Sequence, residues 1–167
     1  PVVQFIAQPI LIFAVVFHFV MGFVLELKNK KARPINYAKN NGGANSTWMS
    51  RNMIYSGLVI LAFLVLHFID FWIPEMNYKY VQMNDADPTR YYTELLHKFE
   101  HPERVIAYVV AFILLALHLL HGFGSAFQSI GQNNKYIDGL KKFGVAYSIL
   151  IPLGFIITAV ALYLTQQ

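Results

Sequence analysis

Four apolar runs dominate the sequence, at about residues 2–27, 52–73, 103–130 and 144–165. Each reaches the roughly 20 residues that a helix needs to cross a hydrocarbon core. Lipid offers no hydrogen bonds to the backbone, so runs of this length close their own as α-helices. The expected fold is all-α, an integral membrane bundle with four transmembrane helices in one domain over residues 1–167. Only 13% of the residues are charged, against about a quarter in a soluble domain. The second run is expected to stop before Pro74. Pro102 suits the start of the third, and Pro152 with Gly154 is expected to kink the fourth.

The charges lie in the connections and read as topology signals, which argues against a nucleic-acid surface. Lys28, Lys30, Lys31, Arg33, Lys39 and Arg51 flank or occupy the first connection, and Lys135, Lys141 and Lys142 the third. The positive-inside rule places these two connections in the cytoplasm and both termini outside. An outward N-terminus directly ahead of a span is awkward, so the reading expects a fifth helix upstream of Pro1. The turn Asn40–Asn45 marks the middle of the first connection. In the second, Asp87-Pro88 is placed to cap a short amphipathic helix carrying Tyr91, Tyr92, Leu95, Leu96 and Phe99. The chain has no cysteine, which excludes disulfides, thiolate zinc sites, covalently attached haem and cysteine-held iron–sulfur clusters.

Histidines are the chemistry inside the spans. An ionisable or metal-ligating side chain at membrane depth marks a functional site by default. His18, His67 and the pair in Leu117-His118-Leu119-Leu120-His121-Gly122 lie on three different runs. At about 1.5 Å per residue, His18 lies roughly 15 Å and His118 roughly 20 Å from the cytoplasmic boundary. His67 lies roughly 24 Å from it, near the outer edge. Gly22 and Gly122 follow His18 and His118 at i+4, on the same helix face. Glycine there clears room for a flat macrocycle, and Gly57 and Gly124 sit below His67 and His118. Neutral imidazoles, no thiolate and glycine clearance favour bis-histidine haem b over zinc. By depth alone His121 fits opposite His18 as well as His118 does. His97 and His101 read as solvated. Histidines that only hydrogen-bond a neighbouring helix are the plain alternative.

Asp70 and Trp72, one turn beyond His67, are the candidate hydrogen-bonding groups for the quinone that the resemblance described below implies, with Glu100 and His101 as further options. Asp70 also reads as an interfacial carboxylate at a helix end. Arg51, Ser125 and Gln128 are candidates for the surroundings of haem propionates, Arg51 equally as a snorkelling anchor. Arg33 and Lys39 read as contacts to partner subunits or lipid phosphates.

These residues resemble a known family. His18-Phe-Val-Met-Gly22, the basic stretch Lys28–Tyr37, Trp48-Met49, Gly57 ten residues before His67, and His118-Leu-Leu-His-Gly122 with Gly131 form one ordered set. The set is similar to the cytochrome b membrane anchor of succinate:quinone oxidoreductases and fumarate reductases, in its five-helix dihaem form. The resemblance covers the family's second to fifth helices.

It implies two haems b in the complete subunit: an inner one on His18 and His118, and an outer one on His67 and a histidine not in this chain. The spacing to Gly122 and Gly131 favours His118 over His121. It further implies a flavoprotein and an iron–sulfur subunit on the cytoplasmic side, a quinone substrate of the menaquinone class, and a bacterial cytoplasmic membrane. The chain would then be a non-catalytic subunit of that enzyme. A dihaem anchor of another respiratory enzyme, or a haem-free transporter or scaffold, are the competing readings.

Overall fold

The computed structural model describes residues 2–32, 48–85, 87–131 and 135–167, excepting the side chains of Met49 and Gln128. Among these residues there is no strand. Two compact units make up the chain, Pro1–Gly57 and Leu58–Gln167, and each is taken by itself.

In the first unit a π-helical turn, Val3–Ala7, leads into α1, Gln8–Lys31. Pro9 lies in the first turn of α1, where a missing N–H costs nothing. Lys28, Lys30 and Lys31 close it, opposite the negative end of the helix dipole. The helix thus runs four residues past the expected end, as a basic extension into the interface. After a single helical turn, Trp48–Arg51, α2 begins at Met53.

Helix α2, Met53–Val81, does not stop at Pro74. Pro74 has no N–H to return to the preceding turn. The helix absorbs this by widening, and Phe68–Trp72 is π-helical, with the Ile73 N–H bonded to the Phe68 carbonyl. A second π-helical turn, Asn77–Val81, ends the helix. At 29 residues α2 is about 43 Å long, beyond the roughly 30 Å of a hydrocarbon core. Its last turns, with Glu75 and Lys79, therefore extend beyond the hydrocarbon core.

The short amphipathic helix expected after Asp87-Pro88 is present as α3, Arg90–Lys98. Asp87 Oδ1 accepts hydrogen bonds from the Thr89 hydroxyl at 2.7 Å and the Thr89 N–H at 2.9 Å. Both bonds, the hydroxyl's foremost, hold the Asp87 carboxyl below its ordinary range. Glu75 ties α3 to α2, accepting from Arg90 and, at 2.8 Å, from the Tyr91 hydroxyl. Arg90 also lies 3.8 Å over the Tyr78 ring.

Helices α4, Pro102–Ser129, and α5, Ile137–Leu164, pack along most of their length. α5 starts seven residues earlier than expected and continues through Pro152. Its buried face is Gly144, Ser148, Pro152 and Ala159, a small-residue stripe that lets the two backbones approach. The fit is tight at Gly144, where a Cβ would stand 3.1 Å from that of Phe123. Ser148, fully buried, donates its hydroxyl to the Gly144 carbonyl at 2.7 Å, so no polar group faces lipid there. Among the described residues four helices, including α1, are long and apolar enough to span, and the chain is a multi-pass membrane protein.

Candidate functional site

The C-terminal half of α2, the end of α3 and the N-terminal half of α4 meet in a cluster of aromatic rings. Phe63 of α2 stands edge-to-face with Tyr108 and Phe112 of α4, at ring separations of 4.9 and 5.3 Å. Phe99, just past α3, meets Tyr108 in the same way at 5.0 Å. Each such pair contributes about 0.5–1.5 kcal/mol beyond the area it buries. Phe112 also stacks on Phe155 of α5 at 5.2 Å.

These rings do not fill the space between the helices. They enclose a cavity of about 450 Å³, completed by His67, Phe71, Leu95, Leu115, Ala159 and Leu162 among others. The wall is almost wholly apolar, and His67 is its one imidazole. His67 is exposed on the bundle surface and lies between Phe63 and Phe71, at ring separations of 6.0 and 5.2 Å. An apolar slot with one metal-binding side chain on its rim is what a flat, hydrophobic macrocycle would require. His67 is the residue here that would ligate such a group, and the apolar lining would suit its body.

Asp70 lies three residues beyond His67 on α2. The expectation of an interfacial carboxylate at a helix end is corrected here: Asp70 is 3% exposed, and the helix runs eleven residues past it. Arg104, in the first turn of α4, donates to both carboxylate oxygens. The Tyr108 hydroxyl donates to Oδ2 at 3.0 Å, and Lys98 Nζ lies 3.6 Å from Oδ1. A charge this deep persists only when paired and hydrogen-bonded, and Asp70 is both. Arg104, Tyr108 and Lys98 were not singled out from sequence. An ionisable group inside a span calls for the nearest opposite charge at its depth, and Arg104, at the outer start of the next span, answers that description.

Trp72 is placed differently. Its indole N–H is buried and has no acceptor among the described residues. The ring stands against Phe68 at 5.5 Å.

The remaining candidates separate by unit. In the first, His18 and Gly22 are exposed, and a Cβ on Gly22 would meet nothing within 4 Å. Arg51 is exposed at the end of its one-turn helix, and Gly57 is half-buried. In the second unit, His118, His121 and Gly122 are half-buried on α4. Ser125 spends its hydroxyl on the Gly122 carbonyl at 3.1 Å, and Gly124 has open space beside it. The Gln128 side chain, Arg33, Lys39 and the Asn40–Asn45 turn lie outside the described residues. His97 and His101 are exposed, as expected, with His97 paired to Glu100 at 3.2 Å. No group of three or more His, Cys, Asp or Glu converges among the described residues.

No family model, curated protein or solved structure matches this chain.

Proposed function

We propose that this chain is the haem-carrying membrane anchor of a succinate:quinone oxidoreductase or fumarate reductase, seated in a bacterial cytoplasmic membrane. The observation that carries the reading is His67 on the rim of an apolar cavity lined from four helices, α2 to α5. His67, with a histidine from outside this chain, would hold one haem b; His18 and His118 would hold the other. Haem, when bound, supplies reversible one-electron transfer between an iron–sulfur partner and a quinone.

The chain's own contribution is ligation, orientation and exclusion of water. The aromatic wall keeps water and its dipoles from the cavity, which is one lever on redox potential. His67 is oriented by the rings above and below it. The basic end of α1, Lys28, Lys30 and Lys31, offers a cytoplasmic face for the iron–sulfur and flavoprotein subunits. For the quinone, of the menaquinone class, the unpaired Trp72 N–H is a donor in need of a carbonyl oxygen. Both oxygens of Asp70 are engaged within the protein, so Trp72 carries this part of the reading.

The deciding experiment is a reduced-minus-oxidised visible spectrum of the chain purified in mild detergent, with the co-purifying subunits identified. A b-type band together with a flavoprotein and an iron–sulfur protein is expected. A haem-free preparation, or a nickel or molybdenum subunit in their place, would refute the proposal.

A further inference from the structure

Three spanning helices, α2, α4 and α5, line most of the cavity, and α3, which lies between spans, adds Leu95. Phe99, the residue just past α3, lines it too. α3 is held differently from the others. It has nine residues, and none of them is buried. A helix of that length is marginal in water, so contacts outside it keep it formed and in place.

Its two ends are not held alike. At the C-terminal end Phe99 is 4% exposed, stands edge-to-face with Tyr108 at 5.0 Å, and lies three residues before the start of α4 at Pro102. Lys98, 3.6 Å from Asp70, belongs to the same fixed end. At the N-terminal end residues 82–89 separate α3 from α2. That end is held by Glu75, in the turns of α2 beyond the hydrocarbon core, which accepts from Arg90 and, at 2.8 Å, from the Tyr91 hydroxyl. Glu75 and Arg90 keep only 16% and 13% of their side-chain surface, and a pair so shielded is stronger than an exposed one. Arg90 also rests on the Tyr78 ring; its other ion pair, to Glu94, lies within α3 and tethers nothing. In the apolar cluster that Leu95 and Phe99 share stands Ala159 of α5, 2% exposed.

We propose that α3 is a flap over the water-facing end of the cavity, which pivots at Phe99 and is latched shut by the contact of Glu75 with Arg90 and Tyr91. Lifting its N-terminal end withdraws Leu95 from the lining and uncovers Ala159. The inference goes beyond the proposed function, because it concerns entry to the cavity and not what occupies it.

The chain has no cysteine, so one introduced thiol reports on access. Ala159→Cys is the reporter. Ile157→Cys, 59% exposed on the same helix and outside the lining, is the reference. The full chain in lipid nanodiscs is treated with a charged methanethiosulfonate, which does not cross lipid. The Ala159→Cys thiol is expected to react far more slowly than a free thiol. Adding Glu75→Gln and Tyr91→Phe should speed it about tenfold or more, the least that losing hydrogen bonds to a charged group implies. Hydrogen exchange of the same proteins should rise in α3 and stay unchanged in α4 and α5. Reaction at the free-thiol rate with the latch intact means that nothing covers the site, and an unchanged rate without the latch means that nothing is latched; either overturns the inference. So does an acceleration that Ile157→Cys shares, or one matched by faster exchange throughout α4 and α5, which is general loosening. A visible spectrum of the same samples reads haem separately, so failure of the haem proposal leaves this result standing.

Discussion

The Asp70–Arg104 pair makes an asymmetric prediction. Asp70 has 2% of its side-chain surface exposed and Arg104 33%. Replacing either partner breaks the same hydrogen bonds, worth about 1.5–3 kcal/mol where a charged group takes part. The survivors differ. After Asp70→Asn the orphaned guanidinium reaches the interface, so little is added to that loss, about 2 kcal/mol in all. After Arg104→Gln the carboxylate stays buried with Tyr108 and a more distant Lys98, and the cost should approach the 3–5 kcal/mol of a broken buried pair, about 3–4 kcal/mol. The double variant should be no worse than Arg104→Gln alone, a coupling of about 2 kcal/mol. Unfolding in mixed micelles by a denaturing detergent, followed by tryptophan fluorescence, measures all four proteins. Two equal costs below about 1 kcal/mol, adding without coupling, are the behaviour of an exposed pair and would refute the argument.

Three further outcomes are expected. Gly144→Val should separate α4 from α5, since even the first added carbon meets Phe123 at 3.1 Å; a loss of about 1–3 kcal/mol in the same unfolding assay is the overpacking cost, and an unchanged midpoint would contradict the close approach. His118→Ala should abolish one b-type haem while His121→Ala leaves it bound, and spectra showing the reverse would reassign the ligand. Asp87 has a depressed carboxyl, so its contribution to the start of α3 is present above its ordinary value of 3.8 and lost as pH falls through the lower folded value. Proteolysis between α2 and α3 should accordingly rise in that acid window in the wild type, and Asp87→Ala should show the raised rate already at neutral pH.

Spacing singled out His67 and Gly22 in the sequence; the structure adds that His67 is exposed on the rim of the aromatic cavity and that Gly22 lies on the exposed α1. Asp70 was harder. From the sequence it lay four residues before a proline, so an interfacial helix end was the natural reading. The π-helical turn at Phe68–Trp72 carries α2 past Pro74 and leaves Asp70 inside the bundle. A turn that re-registers locally leaves no mark in hydrophobic periodicity, because nearly every side chain around it is apolar.

The sequence by itself determined the class of fold, the number of long apolar helices and the amphipathic α3, because spanning length and backbone hydrogen bonding in lipid admit almost no alternative. It also singled out the histidines, since polar groups are rare at that depth. Only the tertiary structure decided which aromatic rings line the cavity and that Asp70 is locked by Arg104, Tyr108 and Lys98. Apolar runs say little about which helix face turns toward which neighbour. In this bundle that choice is made by contacts between helices: the small-residue stripe of α5 against α4, and one ion pair between residues 34 positions apart.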